Sequence, residues 1–257
     1  MNIYVLLKKT FDTEEAISVS GGRIDESGAE FIINPYDEYA VEKAIQQRDK
    51  HGGTVTVVTI GDEDSEKQLR TALAMGADDA VLINTSDDLD EGDQFTTAKI
   101  LEAFFEGKEV DLILAGNVAI DEASGQVGPR LAERLNMPFI TTIVKLDIED
   151  KMAKIEKDVE GDLEKIEVSM PVLVTCQQGL NEPRYTSLPG IMKAKKKPLG
   201  QLELDDLDLD EDEVEAKTAT ISIFLPPKKQ AGRILVGETG EKVKELVSLL
   251  SSEAKVI

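Results

Sequence analysis

Hydrophobic and polar positions follow two rhythms along this chain, and the change between them divides it. In the first part, short apolar runs alternate with helix-spaced stretches. Residues 2–7 form an apolar run ending in Lys8-Lys9 and predict a buried strand; residues 30–33 predict a second. Asn34-Pro35-Tyr36-Asp37 predicts a helix start. Asn34 suits the N-cap, Pro35 the first helical position, and Asp37 the third, where a carboxylate can reach back to the cap. Ala40, Val41, Ala44 and Ile45 continue at helical spacing until Gly52-Gly53. The unit then repeats as strand 55–60, turn Gly61-Asp62, helix 65–75 closed by Gly76, strand 80–83, helix 95–105, strand 112–115 and helix 124–135. Alternating strands and helices imply right-handed crossovers and a parallel sheet covered on both faces.

From 139 to 170 the rhythm becomes period-2, with Val144, Leu146 and Ile148 alternating against polar neighbours and hairpin turns expected at 149–151 and 160–162. Residues 172–175 predict another buried strand. Regularity fades after Gly179. Residues 203–215 hold nine acidic side chains and no basic one, which predicts a solvated linker. A short strand at 221–225 precedes Pro226-Pro227, and 243–250 predicts a last amphipathic helix with Val243, Leu246, Val247 and Leu250 on one stripe. The expected fold is α/β: a mostly parallel, doubly wound sheet with antiparallel hairpin additions and a C-terminal arm. A chain that spends this much length away from its own core is expected to have a partner.

Charge narrows the function. The net charge is −22, so phosphate backbones and anionic lipid are repelled, and neither nucleic-acid binding nor membrane insertion is expected. One Cys and one His cannot build a disulfide framework or a Cys/His zinc site. The N-terminal residues lack the pattern of a secretory signal, and a cytoplasmic location is expected. His51, at the predicted end of a helix, suits the dipole there rather than a nucleophile's base; Cys176 reads as a small buried hydrophobe. Asp87-Asp88 and Asp90-Glu91 form an acidic loop cluster expected to be solvated. The 237–242 segment, although it resembles a phosphate loop, has the wrong spacing and predicts only a helix-start turn.

Two stretches hold more chemistry. The loop Gly116-Asn117-Val118-Ala119-Ile120-Asp121-Glu122-Ala123-Ser124-Gly125-Gln126-Val127-Gly128-Pro129 follows a parallel strand, where open α/β sheets bind ligands. Its glycines allow close backbone approach, Ser124 can cap the helix, and free N–H groups there can face a phosphate; an ordinary strand–helix connection is the competing reading. The stretch 180–198 carries four lysines within 193–197 beside Leu188, Ile191 and Met192. It reads either as a docking patch for an acidic partner or as a short amphipathic turn packing on its own sheet.

Asn181-Glu-Pro-Arg-Tyr185, followed by Leu188-Pro189 and Ile191-Met-Lys-Ala-Lys-Lys-Lys197, resembles a signature of the electron transfer flavoprotein beta subunit. Arg70-Thr-Ala-Leu-Ala-Met-Gly-Ala-Asp78, Asn34-Pro35 with Ala40-Val41-Glu42, and Ala119-Ile120-Asp121 resemble further family stretches, in the family's order. The resemblance implies a Rossmann-like, adenine-nucleotide-binding domain over 1–180, a partner recognition loop over 181–200, and an acidic linker and arm over 201–257 that wraps an alpha subunit. It implies FAD shared with that alpha subunit and a buried AMP here. Adenosine would meet Leu6, Asn34, Pro35, Tyr36, Asp37 and Ile60; phosphate would meet the loop from Gly116 to Val127. Leu188, Pro189, Ile191, Met192, Lys193, Lys195 and Lys196 would contact partners. The implied function is electron shuttling from acyl-CoA-type dehydrogenases to a quinone-linked acceptor oxidoreductase, as a carrier rather than an enzyme. The Gln126-Val-Gly-Pro129 ending resembles relatives that hold a second FAD in place of AMP and bifurcate electrons, so both nucleotides stay open, as does a stand-alone ATP/AMP-binding stress-type module.

Overall fold

The computed structural model describes residues 1–86, 89, 92–229 and 231–257. The acidic cluster at Asp87, Asp88, Asp90 and Glu91 lies outside the described residues. The chain divides into a large unit, Met1–Ile17 with Asp25–Ile221, and a small one, Ser18–Ile24 with Ser222–Ile257. In chain order the elements are β1 (Asn2–Leu6), β2 (Lys9–Phe11), β3 (Ser18–Ser20), β4 (Arg23–Asp25), β5 (Phe31–Ile33), α1 (Pro35–His51), β6 (Thr54–Gly61), α2 (Glu66–Met75), β7 (Asp79–Asn84), α3 (Gln94–Phe105), β8 (Leu112–Gly116), α4 (Val127–Arg134), β9 (Phe139–Glu149), β10 (Met152–Val159), β11 (Asp162–Ser169), β12 (Val172–Cys176), α5 (Leu188–Ala194), β13 (Leu199–Leu202), α6 (Glu211–Val214) and α7 (Thr239–Ser252).

Nine strands form the central sheet in the order β11-β10-β9-β12-β8-β1-β6-β7-β13. Pairing is parallel from β9 to β13 and antiparallel where β10 and β11 extend the edge. Alternation along β1 explains the double cover. Ile3 and Val5 pack with Val41 and Ile45 of α1 and Leu69 and Leu73 of α2. Leu6 points to the other face, among Leu101 and Phe104 of α3 and Leu131 of α4. This is the expected α/β fold, a mostly parallel sheet with helices on both faces. No helix among the described residues is long and apolar enough to cross a membrane.

Four local expectations need correcting. The strand near 30–33 forms, but it pairs antiparallel with β2 instead of joining the central sheet. The helix expected from 124 begins only at Val127, so three more residues stay in the loop. No strand forms at 221–225, where Ile221 is 99% exposed. Most consequentially, 203–215 is not a solvated linker. After β13 adds to β7, the acidic segment runs back over α3 and buries Leu204, Leu209 and Val214 in the core of that face. Thr96 Oγ1 donates to Val214 O at 2.7 Å, and the Asp93 carboxylate accepts from the N–H groups of Lys217 and Thr218 at 2.9 and 3.0 Å. The acidic side chains between these leucines keep the outer face wet, so the segment is a strap.

In the small unit, α7 starts in a capping box between Glu238 and Glu241 and buries none of its residues. Val243, Leu246 and Val247 are each about half exposed along one stripe.

The strap's leucines separate a packed element from a linker. Leu204→Ala is expected to lower stability by about 2–4 kcal/mol in urea unfolding, as for a buried leucine; a linker leucine would change it by less than about 0.5 kcal/mol.

Candidate functional site

β1 is flanked by β6 on one side and β8 on the other. At such a switch in strand order the connections diverge, and a crevice opens beyond the carboxyl ends of the strands. A cavity of about 180 Å³ lies there. Its walls are apolar at Leu6, Leu7, Val58, Ile60, Leu101 and Ala115, and polar where the 116–128 loop passes over.

One buried carboxylate shapes the mouth. Asp37, in the first turn of α1, accepts from the Lys8 N–H at 2.7 Å and the Gly116 N–H at 2.9 Å, so it bridges the residues at the ends of β1 and β8. Asn34 Nδ2 donates to the same carboxylate at 3.0 Å and to Val118 O at 2.9 Å, while Asn34 Oδ1 accepts from Ile120 N–H at 3.2 Å. The expected capping contact back to the Asn34 N–H does not form, because the carboxylate serves the strand ends instead. Burial pushes the Asp37 carboxyl up to about 7 against the pull of those donors. Gly116 is required by this clamp: a Cβ there would run into the Asp37 carboxylate and come within 2.7 Å of Tyr36 Cβ. A Cβ at Gly128 would meet Thr175 Cγ2 at 2.8 Å. The space at these two glycines is therefore taken by the chain itself rather than left for a ligand.

The loop offers donors. None of the N–H groups of Ser124, Gly125, Gln126, Val127 and Gly128 donates to an acceptor among the described residues. They lead into the first turn of α4, whose N-cap is Gln126; Ser124 does not cap it. Gly125 has φ +60°, and a Cβ there would lie 3.3 Å from Asn117 O. Asn117 Oδ1 accepts from Thr175 Oγ1 at 3.0 Å. A row of free N–H groups at a helix start suits an anion, and the apolar walls suit an aromatic base.

Of the residues expected at this site, Leu6, Asn34, Asp37, Ile60, Gly116, Asn117, Val118, Ala119, Glu122, Ser124, Gly125, Gln126 and Val127 line the cavity. Pro35, Tyr36, Ile120, Asp121 and Ala123 do not. Sequence reasoning missed Lys8, although it lies only two residues past the end of β1, and missed Gly92, Asp93 and Thr97 around the start of α3, which no motif marks. Asp93 caps α3 through Phe95 and Thr96 N–H groups; its carboxyl is partly desolvated, but these and the strap donors bring it to about 2. Burial raises Glu122, yet its contacts with Lys8 and Gln94 outweigh this and lower it.

A second region gathers the other motifs. Arg184 grips Glu42 of α1 at 2.6 and 3.0 Å, and Asn181 Nδ2 donates to Tyr39 O at 2.9 Å. Arg70 of α2 donates to Ala194 O and Lys197 O at 3.1 and 3.0 Å, and Lys197 Nζ donates to Leu73 O and Ala77 O. The distant stretches at 34–42, 70–78 and 181–197 thus meet. Between these anchors α5 packs through Ala194 and leaves Leu188 81% and Met192 66% exposed. Pro189, Ile191, Lys193, Lys195 and Lys196 are exposed beside them. His51 is exposed at the end of α1, and Cys176 is fully buried, its thiol pushed up by burial. No group able to hold a metal ion occurs among the described residues.

The family model "Electron transfer flavoprotein domain" matches residues 21–207. The electron transfer flavoprotein subunit beta of Bacillus subtilis is 65% identical over 257 residues, covering 100% of both chains. This chain belongs to the electron transfer flavoprotein beta-subunit family. More distant members include the caffeyl-CoA reductase-Etf complex subunit CarD of Acetobacterium woodii, 36% identical over 99% of this chain and 98% of that one. The acryloyl-CoA reductase electron transfer subunit gamma of Anaerotignum propionicum is 35% identical over 97% of this chain and 98% of its own length. Family membership makes the chain an electron-transfer subunit associated with a flavin and an alpha subunit.

Asp37 gives this family member a pH signature. The folded carboxyl keeps its proton to about pH 7, whereas an unfolded Asp loses it near pH 4. Between these values folding takes up a proton, so stability falls as pH rises, by up to about 1.4 kcal/mol per unit, and levels above about 7. Urea unfolding across this range is expected to show that slope in the wild type and not in Asp37→Asn. Parallel curves would remove the shifted carboxyl.

Proposed function

We propose that this chain is the beta subunit of a heterodimeric electron transfer flavoprotein that carries electrons from acyl-CoA-type dehydrogenases to a quinone-linked acceptor. FAD sits at the contact with the alpha subunit, and the cavity at the ends of β1 and β8 holds AMP. The observation that supports the nucleotide is the run of acceptor-less N–H groups from Ser124 to Gly128 beside an apolar-walled crevice at the switch point. The flavin supplies the electron-carrying chemistry. This chain's residues bind and position: Leu6 and Ile60 flank the base, the 124–128 backbone receives the phosphate, and Asp37 with Asn34 holds the mouth in shape. The exposed Leu188, Ile191 and Met192, edged by Lys193, Lys195 and Lys196, dock the dehydrogenase. The half-exposed stripe on α7 packs on the alpha subunit; within a domain division at 1–180, 181–200 and 201–257, the arm that reaches the partner starts only after the packed strap.

A second FAD in place of AMP is the other reading. Favouring it are the Gln126-Val-Gly-Pro129 loop ending and the similarity to a subunit of a caffeyl-CoA reductase–Etf complex. The full-length family match leaves the stand-alone stress-type module without support.

Acid extraction of the heterodimer and chromatography of the released nucleotides is expected to yield one AMP per FAD; two FAD and no AMP would select the bifurcating reading, and no adenine nucleotide beyond the interface FAD would remove the site. Gly125→Val, which forces a side chain into a positive-φ position against Asn117 O, is expected to lower nucleotide content at unchanged FAD reduction chemistry. Leu188→Ala is expected to slow reduction by a dehydrogenase about tenfold, the loss of about 1.4 kcal/mol at a central apolar contact, while flavin content stays constant. Full-speed transfer by that variant would take the docking role from α5.

A further inference from the structure

Lys8 is the one basic side chain among the described residues lining the cavity, which also presents Asp37, Asp93 and Glu122. Its backbone is held on both sides: the N–H donates to Asp37 at 2.7 Å, and the carbonyl accepts from the Asn34 N–H at 2.9 Å. The side chain therefore starts from a fixed point at the end of β1. Its Nζ lies 3.0 Å from Asp121 Oδ1 and 2.8 Å from Glu122 Oε1, two consecutive carboxylates of the loop that would otherwise repel an anion. The lysine is 38% and Glu122 50% exposed, so these pairs are weak and readily shared. An ammonium has three donors, and two carboxylates engage two of them, which leaves one for a ligand oxygen.

We infer that Lys8 makes this cavity select a phosphorylated adenosine: it neutralises Asp121 and Glu122 and gives its remaining donor to the phosphate. The inference rests on the proposed nucleotide site and adds a residue that sets its ligand class. The 124–128 N–H groups hold a phosphate without a full charge; Lys8 supplies that charge. The local sum at the loop passes from two uncompensated negatives to one, and phosphate entry becomes tolerable in a chain of net charge −22. Lysine acts here as a point charge on a flexible stem, able to serve three oxygens at once.

The test compares AMP with unphosphorylated adenosine by calorimetry on the full-length chain stripped of nucleotide. The wild type is expected to prefer AMP. In Lys8→Gln that preference is expected to shrink about tenfold, as for loss of one charged hydrogen bond, with adenosine affinity within about twofold of wild type. Glu122→Gln keeps the lysine while removing one repelling carboxylate and one of the two ion pairs that occupy its ammonium; it keeps the test available if Lys8→Gln does not fold, and is expected to raise AMP affinity alone. An unchanged preference in Lys8→Gln, an equal loss of both ligands, or a fall in AMP affinity in Glu122→Gln overturns the role of Lys8 while leaving the site. A wild type with no preference for AMP overturns the phosphate site itself, and this inference with it.

Discussion

The site depends on one carboxylate that holds two diverging strand ends together. At the carboxyl ends of β1 and β8, the N–H groups of Lys8 and Gly116 find no acceptor on a neighbouring strand and go to Asp37 instead, and a buried orphan N–H is costly. Asp37 reaches both from the first turn of α1, and Asn34 extends the tie to Val118 and Ile120. The crevice thereby gets a rigid rim, and the loop that follows is anchored at its first few residues only. The backbone then turns through positive φ at Ala123 and Gly125 and presents the N–H groups from Ser124 to Gly128 without an acceptor among the described residues. A carboxylate that is fully engaged by the chain is also unavailable to a ligand. Asp37 is thus better understood as the group that makes the mouth than as a contact within it.

The same economy organises the contacts around α5. Arg184 on Glu42, whose side chain is only 6% exposed, is a partly buried forked pair; removing either partner would strand a charge. Arg70 takes two carbonyls at the end of α5, and Lys197 takes two at the end of α2. These contacts explain why Arg70 and Lys197 stand in family stretches far apart in sequence: they are two halves of one clip. Lys197 is accordingly structural, unlike Lys193, Lys195 and Lys196, and the clip lets a seven-residue helix display Leu188 and Met192 without packing them.

Periodicity made the sheet legible because the central strands of the first half alternate between two covered faces and α1 and α2 close at glycines. It also exposed the 139–170 hairpins, since a half-solvated strand shows its alternation plainly. What stayed hidden has a common physical cause. The strap at 203–215 reads as a solvated linker by charge, yet Leu204, Leu209 and Val214 bury while the acidic side chains stay exposed; a one-sided element too irregular for a fixed period defeats periodicity. β13 is four residues with Gly at its centre and gains its place only by pairing with β7. Within the site, the loop was legible from its glycines and its position after a strand. The role of Gly116 was not, because it depends on Asp37, seventy-nine residues earlier. Lys8 looked like the polar end of a strand, and only the fold sets it against Asp121 and Glu122.

Charge distribution gives the chain its orientation toward partners. A surface of net charge −22 repels most acidic proteins from most directions. Lys193, Lys195 and Lys196 make one local exception, and it coincides with the exposed apolar residues of α5. On the proposed docking role, partners with an acidic face would be steered to that edge and deflected elsewhere, and the acidic strap would add specificity by repulsion while its leucines contribute to stability. In that proposal the exposed lysines would act on encounter rate, an effect that fades with salt, whereas the exposed Leu188 and Met192 would govern how long a docked partner stays. Speed of approach and duration of contact would then fall to different side chains on α5 and in the residues just after it, and a carrier that must both find and release its donors needs the two to be adjustable separately.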